Sequence, residues 1–182
     1  MFRLLAMDVD GTLTDGSVFI DATGNEFKRF DIQDGMGIAL FRKAGGKVAW
    51  ISGRFSAVTE LRARELHVDF LANGVAEKLP VLERIAAEAG ISAAEVIFVG
   101  DDVNDRECMR WAGLGVAVAN AVPEVKASAS YVTQRSGGSG AFGAVLPSPD
   151  DRVKVRLDRL KCERTSGHNN ADKLLSGALC LL

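Results

Sequence analysis

The sequence has 182 residues, 47% of them hydrophobic and 25% charged, with a mean hydropathy of +0.09 and a formal net charge of −2. That length fits one domain with a core large enough to need neither disulfide nor structural metal, and the apolar content excludes a wholly disordered chain. No apolar run reaches the roughly 20 residues of a membrane helix, Asp8 stops the Leu4–Met7 run short of a signal-peptide core, and three cysteines (Cys108, Cys162, Cys180) make no disulfide framework and point to a reducing cytoplasm.

The charge is uneven. Residues 1–150 carry 15 Lys+Arg against 20 Asp+Glu, and residues 151–182 carry 7 against 4. An acidic body is a poor nucleic-acid binder, so no nucleic-acid partner and no membrane partner are expected. The basic cluster Arg152, Lys154, Arg156, Arg159, Lys161 and Arg164 reads as a solvated helix face.

In chain order, strand-length apolar runs are expected at Arg3–Val9, Lys47–Ser52, Asp69–Ala72, Val96–Gly100 and Leu114–Val118. Helical patterns lie between them at Asp34–Ala44, Ser56–Leu66, Lys78–Ala89 and Asn104–Ala112. This alternation predicts an α/β fold, a doubly wound parallel sheet with helices on both faces. One insertion follows the first strand: Ser17–Ile20 and Glu26–Phe30 flank the turn-rich Asp21–Asn25, predicting a β-hairpin. The Gly/Ser-rich Ser136–Gly143 reads as a loop or a flexible arm. Prolines 147 and 149 mark a boundary, so a domain over 1–146 and an atypical tail over 147–182 are expected, the tail partly helical or disordered and docked or loose.

Chemistry concentrates where strands end. In Asp8-Val-Asp10-Gly11-Thr12, residues i and i+2 leave the strand on the same side, so two carboxylates stand together and require a proton or a cation. Gly100-Asp101-Asp102-Val-Asn104-Asp105 places three more after another strand. One Asp is explained as a helix N-cap, but three are not, and an oxygen-rich cluster suits Mg²⁺. Ser52-Gly53-Arg54 joins a hydroxyl, a glycine amide and a helix start into an anion-binding corner. Lys78 opens a helix; alone it would read as a surface lysine, and only beside the other three features does it gain a role.

At these residues the chain resembles the haloacid dehalogenase superfamily of phosphohydrolases. Asp8-Val-Asp10-Gly11-Thr12, Ser52, Lys78 and Gly100-Asp101-Asp102 look like its four motifs, in order, within roughly residues 3–145. The resemblance implies that Asp8 attacks phosphorus to form an aspartyl-phosphate and that Asp10 serves as general acid and base. It further implies Mg²⁺ held by Asp8, the Asp10 backbone carbonyl and Asp101, with Ser52, Gly53 and Lys78 on the phosphoryl oxygens. Asp102 and Asp105 would orient Lys78 or metal-bound waters.

The gaps from Asp10 to Ser52 and from Lys78 to Asp101 are too short for a cap domain. The hairpin sequence and Asp34-Gly35-Met36-Gly37 resemble the capless branch of 3-deoxy-D-manno-octulosonate (KDO) 8-phosphate phosphatases, whose members are typically homotetramers with packed hairpins. In that branch the glycine-rich run at 136–142 can reach a neighbour's active site. Arg54 matches the KDO 8-phosphate type, where it would pair with the sugar-acid carboxylate or reinforce phosphate binding; an exposed first-turn arginine is the plainer reading. Gln33, where the KDO enzymes often carry Arg, and Gly143-Ala144, where they carry Arg-Glu, depart from the pattern. The expectation is a cytoplasmic, homotetrameric phosphatase of a phosphorylated sugar acid. Acylneuraminate or nonulosonate 9-phosphate is the alternative substrate, and a non-catalytic oligomerisation module the alternative class.

Overall fold

The computed structural model describes residues 1–142. The expectations for the tail at 147–182, and for Gly143-Ala144, lie outside the described residues.

The chain begins with β1 (Leu4–Met7), continues through a hairpin of β2 (Phe19–Ile20) and β3 (Glu26–Phe27), and enters α1 (Ile32–Lys43). Then β4 (Lys47–Ser52), α2 (Ala57–Glu65), β5 (Phe70–Asn73), α3 (Lys78–Glu88), β6 (Val96–Gly100), α4 (Arg106–Trp111) and β7 (Leu114–Ala117) alternate. The described fold closes with α5 (Pro123–Ser128) and β8 (Tyr131–Val132). The six-stranded sheet has the order β5-β4-β1-β6-β7-β8, with every pairing parallel. Every residue of β1, β6 and β7 is buried, as expected for parallel strands covered on both faces, which is why these segments read as unbroken apolar runs.

The sheet order places the site. β1 lies between β4 and β6, so the chain winds outward on one side through β4 and β5 and on the other through β6, β7 and β8. In an open α/β sheet the crevice beyond the strand ends at such a reversal is where ligands bind. Asp8 follows β1 and Asp101 follows β6, on either side of that reversal. No cap domain occurs among the described residues; hairpin and α1 occupy the first gap, and α3 with a short 3₁₀ turn the second.

β1 is shorter than expected because the chain turns at Asp8–Leu13, where Thr12, Leu13 and Thr14 amides all bond the Val9 carbonyl. Sequence reading missed α5 and β8. α5 has six residues and starts at Pro123, and β8 is a two-residue edge strand, both too short to carry a period.

The hairpin is antiparallel, pairing Phe19 with Phe27 and Ile20 with Glu26. Its exit is anchored by Phe30, which stacks on Trp50 of β4 with centroids 6.2 Å apart and has the Arg62 guanidinium 5.8 Å from its ring. Val18, Phe19, Ile20 and Phe27 remain exposed.

The glycine-rich run is not an extended arm over its described part. Asp34 in the first turn of α1 accepts the amides of Gly140 (3.1 Å) and Phe142 (2.8 Å), and Arg29 donates to the Gly138 carbonyl at 2.8 Å. Gln33 accepts from Arg135 at 2.6 Å, which gives the departure at that position a local partner. Asn120 bridges the run to the turn after β1, donating to the Gly11 carbonyl (2.8 Å) and accepting from the Gly137 amide (2.6 Å). A Cβ on Gly137 would come within 2.0 Å of the Gly11 carbonyl oxygen, so the close approach requires glycine there.

Candidate active site

Four strand ends supply the groups singled out in the sequence. Asp8 is buried just beyond β1, its amide bonded to the Val99 carbonyl of β6. Lys78, the first residue of α3, is 3% exposed and donates to Asp8 Oδ1 at 2.6 Å and Asp105 Oδ1 at 2.7 Å. The other Asp105 oxygen accepts the amides of Asp101 (3.0 Å) and Asp102 (3.3 Å), locking the loop after β6. Asp101 Oδ1 accepts the Thr12 hydroxyl at 2.8 Å, tying the β1 turn to the β6 loop. Gly11 makes room for this contact: its φ is +91°, and a Cβ there would meet Asp101 Oδ2 at 2.1 Å.

One oxygen each from Asp8, Asp101 and Asp105 lies within 4.8 Å of the others, the geometry of a site for a hard cation. The electrostatics agree. Burial raises the Asp8 carboxyl well above its ordinary value, with Asp105 adding to the effect and Lys78 offsetting part of it. Burial pushes Asp101 up to about 6, against the Thr12 bond and reinforced by Asp105. Burial alone would lower Lys78, but the charges of Asp8 and Asp105 outweigh it and its pKa is raised. One ammonium among three carboxylates leaves net negative charge in a desolvated place, which a divalent cation would neutralise.

Ser52, at the end of β4, is buried; its hydroxyl donates to the Arg54 carbonyl at 2.8 Å and faces the Arg54 amide at 3.3 Å. Gly53 is exposed, and a Cβ there would lie 3.5 Å from the Asn104 side-chain amide and 3.9 Å from Lys78 Cε. The corner therefore adjoins Lys78, as the motif order implies. Arg54 is half-exposed at the side chain, and one guanidinium nitrogen is 2.5 Å from Glu26 of the hairpin. Asp102 instead caps the 3₁₀ turn, accepting the Val103 amide at 2.7 Å. An open cleft of about 500 Å³ lies beside Lys78, lined by Leu79, Val103, Asn104, Arg106 and Arg110.

Asp10 stands apart. It is not among the three clustered carboxylates; its Oδ1 faces Lys28 Nζ at 2.7 Å, and Lys28 is carried by the hairpin. Sequence reading missed Lys28 and Glu26. Strand alternation held the signal: Glu26 and Lys28, two apart, share a face, and Phe27 between them points outward and is exposed. Cys108 is close by but no nucleophile, since burial, with Asp105 contributing, pushes its thiol up to about 12.

Comparison with known proteins agrees with this geometry. Residues 48–142 match the model of the haloacid dehalogenase-like hydrolases. The chain is 38% identical over 159 residues to the 3-deoxy-D-manno-octulosonate 8-phosphate phosphatase of Yersinia pestis, covering 87% of this chain and 83% of that protein. It is 39% identical over 143 residues to the Escherichia coli K12 phosphatase of the same description, covering 79% and 76% respectively. The crystal structure of the Moraxella catarrhalis 3-deoxy-D-manno-octulosonate 8-phosphate phosphatase, in complex with magnesium ion, phosphate ion and KDO, superposes with a TM-score of 0.79. That match has 32% identity and covers 90% of this chain and 92% of the other. With sequence identity and superposition in agreement, the chain belongs to the haloacid dehalogenase-like hydrolases, among relatives that include the KDO 8-phosphate phosphatases.

Proposed function

We propose that this protein is a Mg²⁺-dependent phosphatase that hydrolyses 3-deoxy-D-manno-octulosonate 8-phosphate through an aspartyl-phosphate on Asp8. The observation that carries the reading is the clustering of Asp8, Asp101 and Asp105 oxygens at the switch point of the sheet, with buried Lys78 paired to Asp8 and Asp105. The donor set fits the metal: all ligand atoms are oxygen, and burial, reinforced by Asp105, holds Asp8 and Asp101 above their ordinary pKa, a charge problem that a bound cation would relieve. Asp8 and Asp101, with the Asp10 backbone carbonyl, would hold Mg²⁺, while Asp105 is already committed to Lys78 and two amides. When bound, the ion neutralises phosphate charge and lets two anions approach each other.

The chain's own groups supply the rest. A free Asp8 oxygen attacks phosphorus, and the bond to the ester oxygen breaks as Asp10 gives that oxygen its proton. Water then attacks the acyl phosphate, Asp10 takes its proton, and phosphate leaves with Asp8 restored. Lys78 spends two N–H groups on Asp8 and Asp105 and keeps a third for a phosphoryl oxygen. The Gly53 amide and a rotated Ser52 hydroxyl receive the others. Arg54, with donors left beyond its bond to Glu26, meets the sugar-acid carboxylate. We assign this reaction to residues 1–146. Exposed Val18, Phe19, Ile20 and Phe27 support packing of hairpins in a homotetramer, and the cysteine usage a cytoplasmic setting.

The test is phosphate release from a panel of sugar-acid phosphates with Mg²⁺ and with EDTA. The reading expects KDO 8-phosphate to be preferred and EDTA to abolish release. Preference for an acylneuraminate 9-phosphate would overturn the substrate, and EDTA-resistant turnover the metal.

A further inference from the structure

The two aspartates that leave β1 together have separate cationic partners. Asp8 is held by Lys78 from the framework helix α3, and Asp10 faces Lys28 from the inserted hairpin. We propose that Lys28 is a positioning residue for Asp10, fixing its carboxylate on the hairpin side of the site and away from the carboxylates that hold the metal. The inference rests on the function proposed above and adds a residue to it.

Three observations carry it. First, the Lys28 side chain is 0% exposed, although it comes from a hairpin whose neighbouring Phe27 is 57% exposed. A lysine is buried this fully only when its charge is answered, and a surface pin for a hairpin would leave the ammonium in water. Second, the ammonium is held from three sides: Asp10 Oδ1 at 2.7 Å, the Thr59 hydroxyl of α2 at 3.1 Å and Glu26 at 3.5 Å. Glu26 in turn holds Arg54 and accepts the Ser56 hydroxyl at 3.3 Å, so Lys28 is braced against the framework. Third, both Asp10 oxygens are shielded from solvent, and among the described residues neither accepts a well-directed hydrogen bond. A carboxylate in that condition is costly without a nearby cation. Its unfilled acceptor positions are what a group about to exchange a proton with substrate or water needs.

The consequence is a division of labour. Without Lys28, Asp10 would be a further carboxylate two residues from Asp8, with no ammonium to hold it on the hairpin side. With Lys28 in place, the acid–base group and the metal-site carboxylates stay apart. The insertion thus completes the catalytic set.

The test compares wild type with Lys28→Met, which keeps the buried apolar stem, and Lys28→Arg, which keeps the charge. An alkyl phosphate needs its leaving oxygen protonated, whereas p-nitrophenyl phosphate does not. For Lys28→Met, kcat/KM on KDO 8-phosphate should fall about 10–100-fold, within the range of a misplaced general acid, and on p-nitrophenyl phosphate by less than about 3-fold. Inhibition by inorganic phosphate should stay within about 2-fold, and Lys28→Arg should recover part of the loss. Equal losses on both esters would make Lys28 a structural pin and overturn the proposal. So would a parallel weakening of inorganic phosphate, which would make it a phosphate ligand. Should Lys28→Met fold poorly by circular dichroism, the ester comparison is made on Lys28→Arg, whose displaced charge should penalise the alkyl ester more; equal penalties there also overturn the proposal. The alkyl–aryl comparison works with whichever sugar acid proves to be the substrate, so a failed substrate assignment leaves it intact.

Discussion

The two lysine–aspartate pairs are built from opposite materials. Lys78 stands on an eleven-residue helix packed against the sheet, and its partners Asp8 and Asp105 are buried on strand-end loops. Lys28 stands on a hairpin of two two-residue strands whose apolar side chains face outward. The first pair is held by the core, so its position is inherited from the fold. The second depends on an insertion whose docking rests on Phe30 against Trp50 and on the Glu26–Arg54 bond. The partner of the nucleophile is thus fixed by the core, and the partner of the acid–base group by the insertion.

Substitutions should separate the two regions. Asp8→Asn should lower phosphate release by about 10⁴-fold or more, as loss of a nucleophile does. It should leave the melting temperature of the metal-free protein unchanged or raised, because one of three repelling carboxylates is gone. Wild-type-like turnover by this variant would remove Asp8 from the mechanism.

Lys78→Met should damage both activity and fold. It leaves Asp8 and Asp105 buried without their cation, a change that costs about 3–5 kcal/mol for a broken buried pair. Denaturant titration should show this loss, and Lys28→Met should lose less because fewer buried carboxylates depend on it.

Arg54→Ala acts on the exposed side. Its pair with Glu26 is half in solvent, so stability should change by about 1 kcal/mol or less. KM for a sugar-acid phosphate should rise about 10-fold while KM for a phosphate ester without a carboxylate stays nearly constant, as expected for loss of one charge-assisted bond. Equal effects on both esters would assign Arg54 to phosphate binding.

The smallest effect is a pH slope. Asp101 binds its proton more tightly in the folded protein, near pH 6, than in the unfolded chain, near 3.8. Its contribution is therefore present at low pH and lost as pH rises through about 6. Thermal melts of metal-free wild type and Asp101→Asn should diverge across that window, the wild type losing more with rising pH. Added Mg²⁺ should raise the wild-type melting temperature more at pH 8 than at pH 5, where protons compete for the same oxygens.

Much of the framework was legible. β4 and β6 have the expected boundaries and β7 ends one residue early, because buried parallel strands are continuous apolar runs bounded by polar turns; β5, a half-exposed edge strand, is shifted by one residue at each end. The carboxylates were legible because a single helix N-cap cannot account for five of them at two strand ends. Lys28 was not, since one lysine in an exposed-looking hairpin resembles any surface lysine. The glycine-rich run was equally ambiguous: composition permits mobility, and only the bonds from Asp34, Arg29 and Asn120 hold it down.

By itself, then, the sequence determined a parallel α/β sheet with acidic groups gathered at two strand ends, because hydrophobic period and residue type are local properties of the chain. Tertiary structure decided which carboxylate faces which lysine. That pairing joins residues 70 positions apart for Lys78 and Asp8, and 27 apart for Lys78 and Asp105. Between Lys28 and Asp10 it depends on a hairpin folding back over the strand that precedes it. Charge complementarity acts through space, and no local pattern along the chain encodes it.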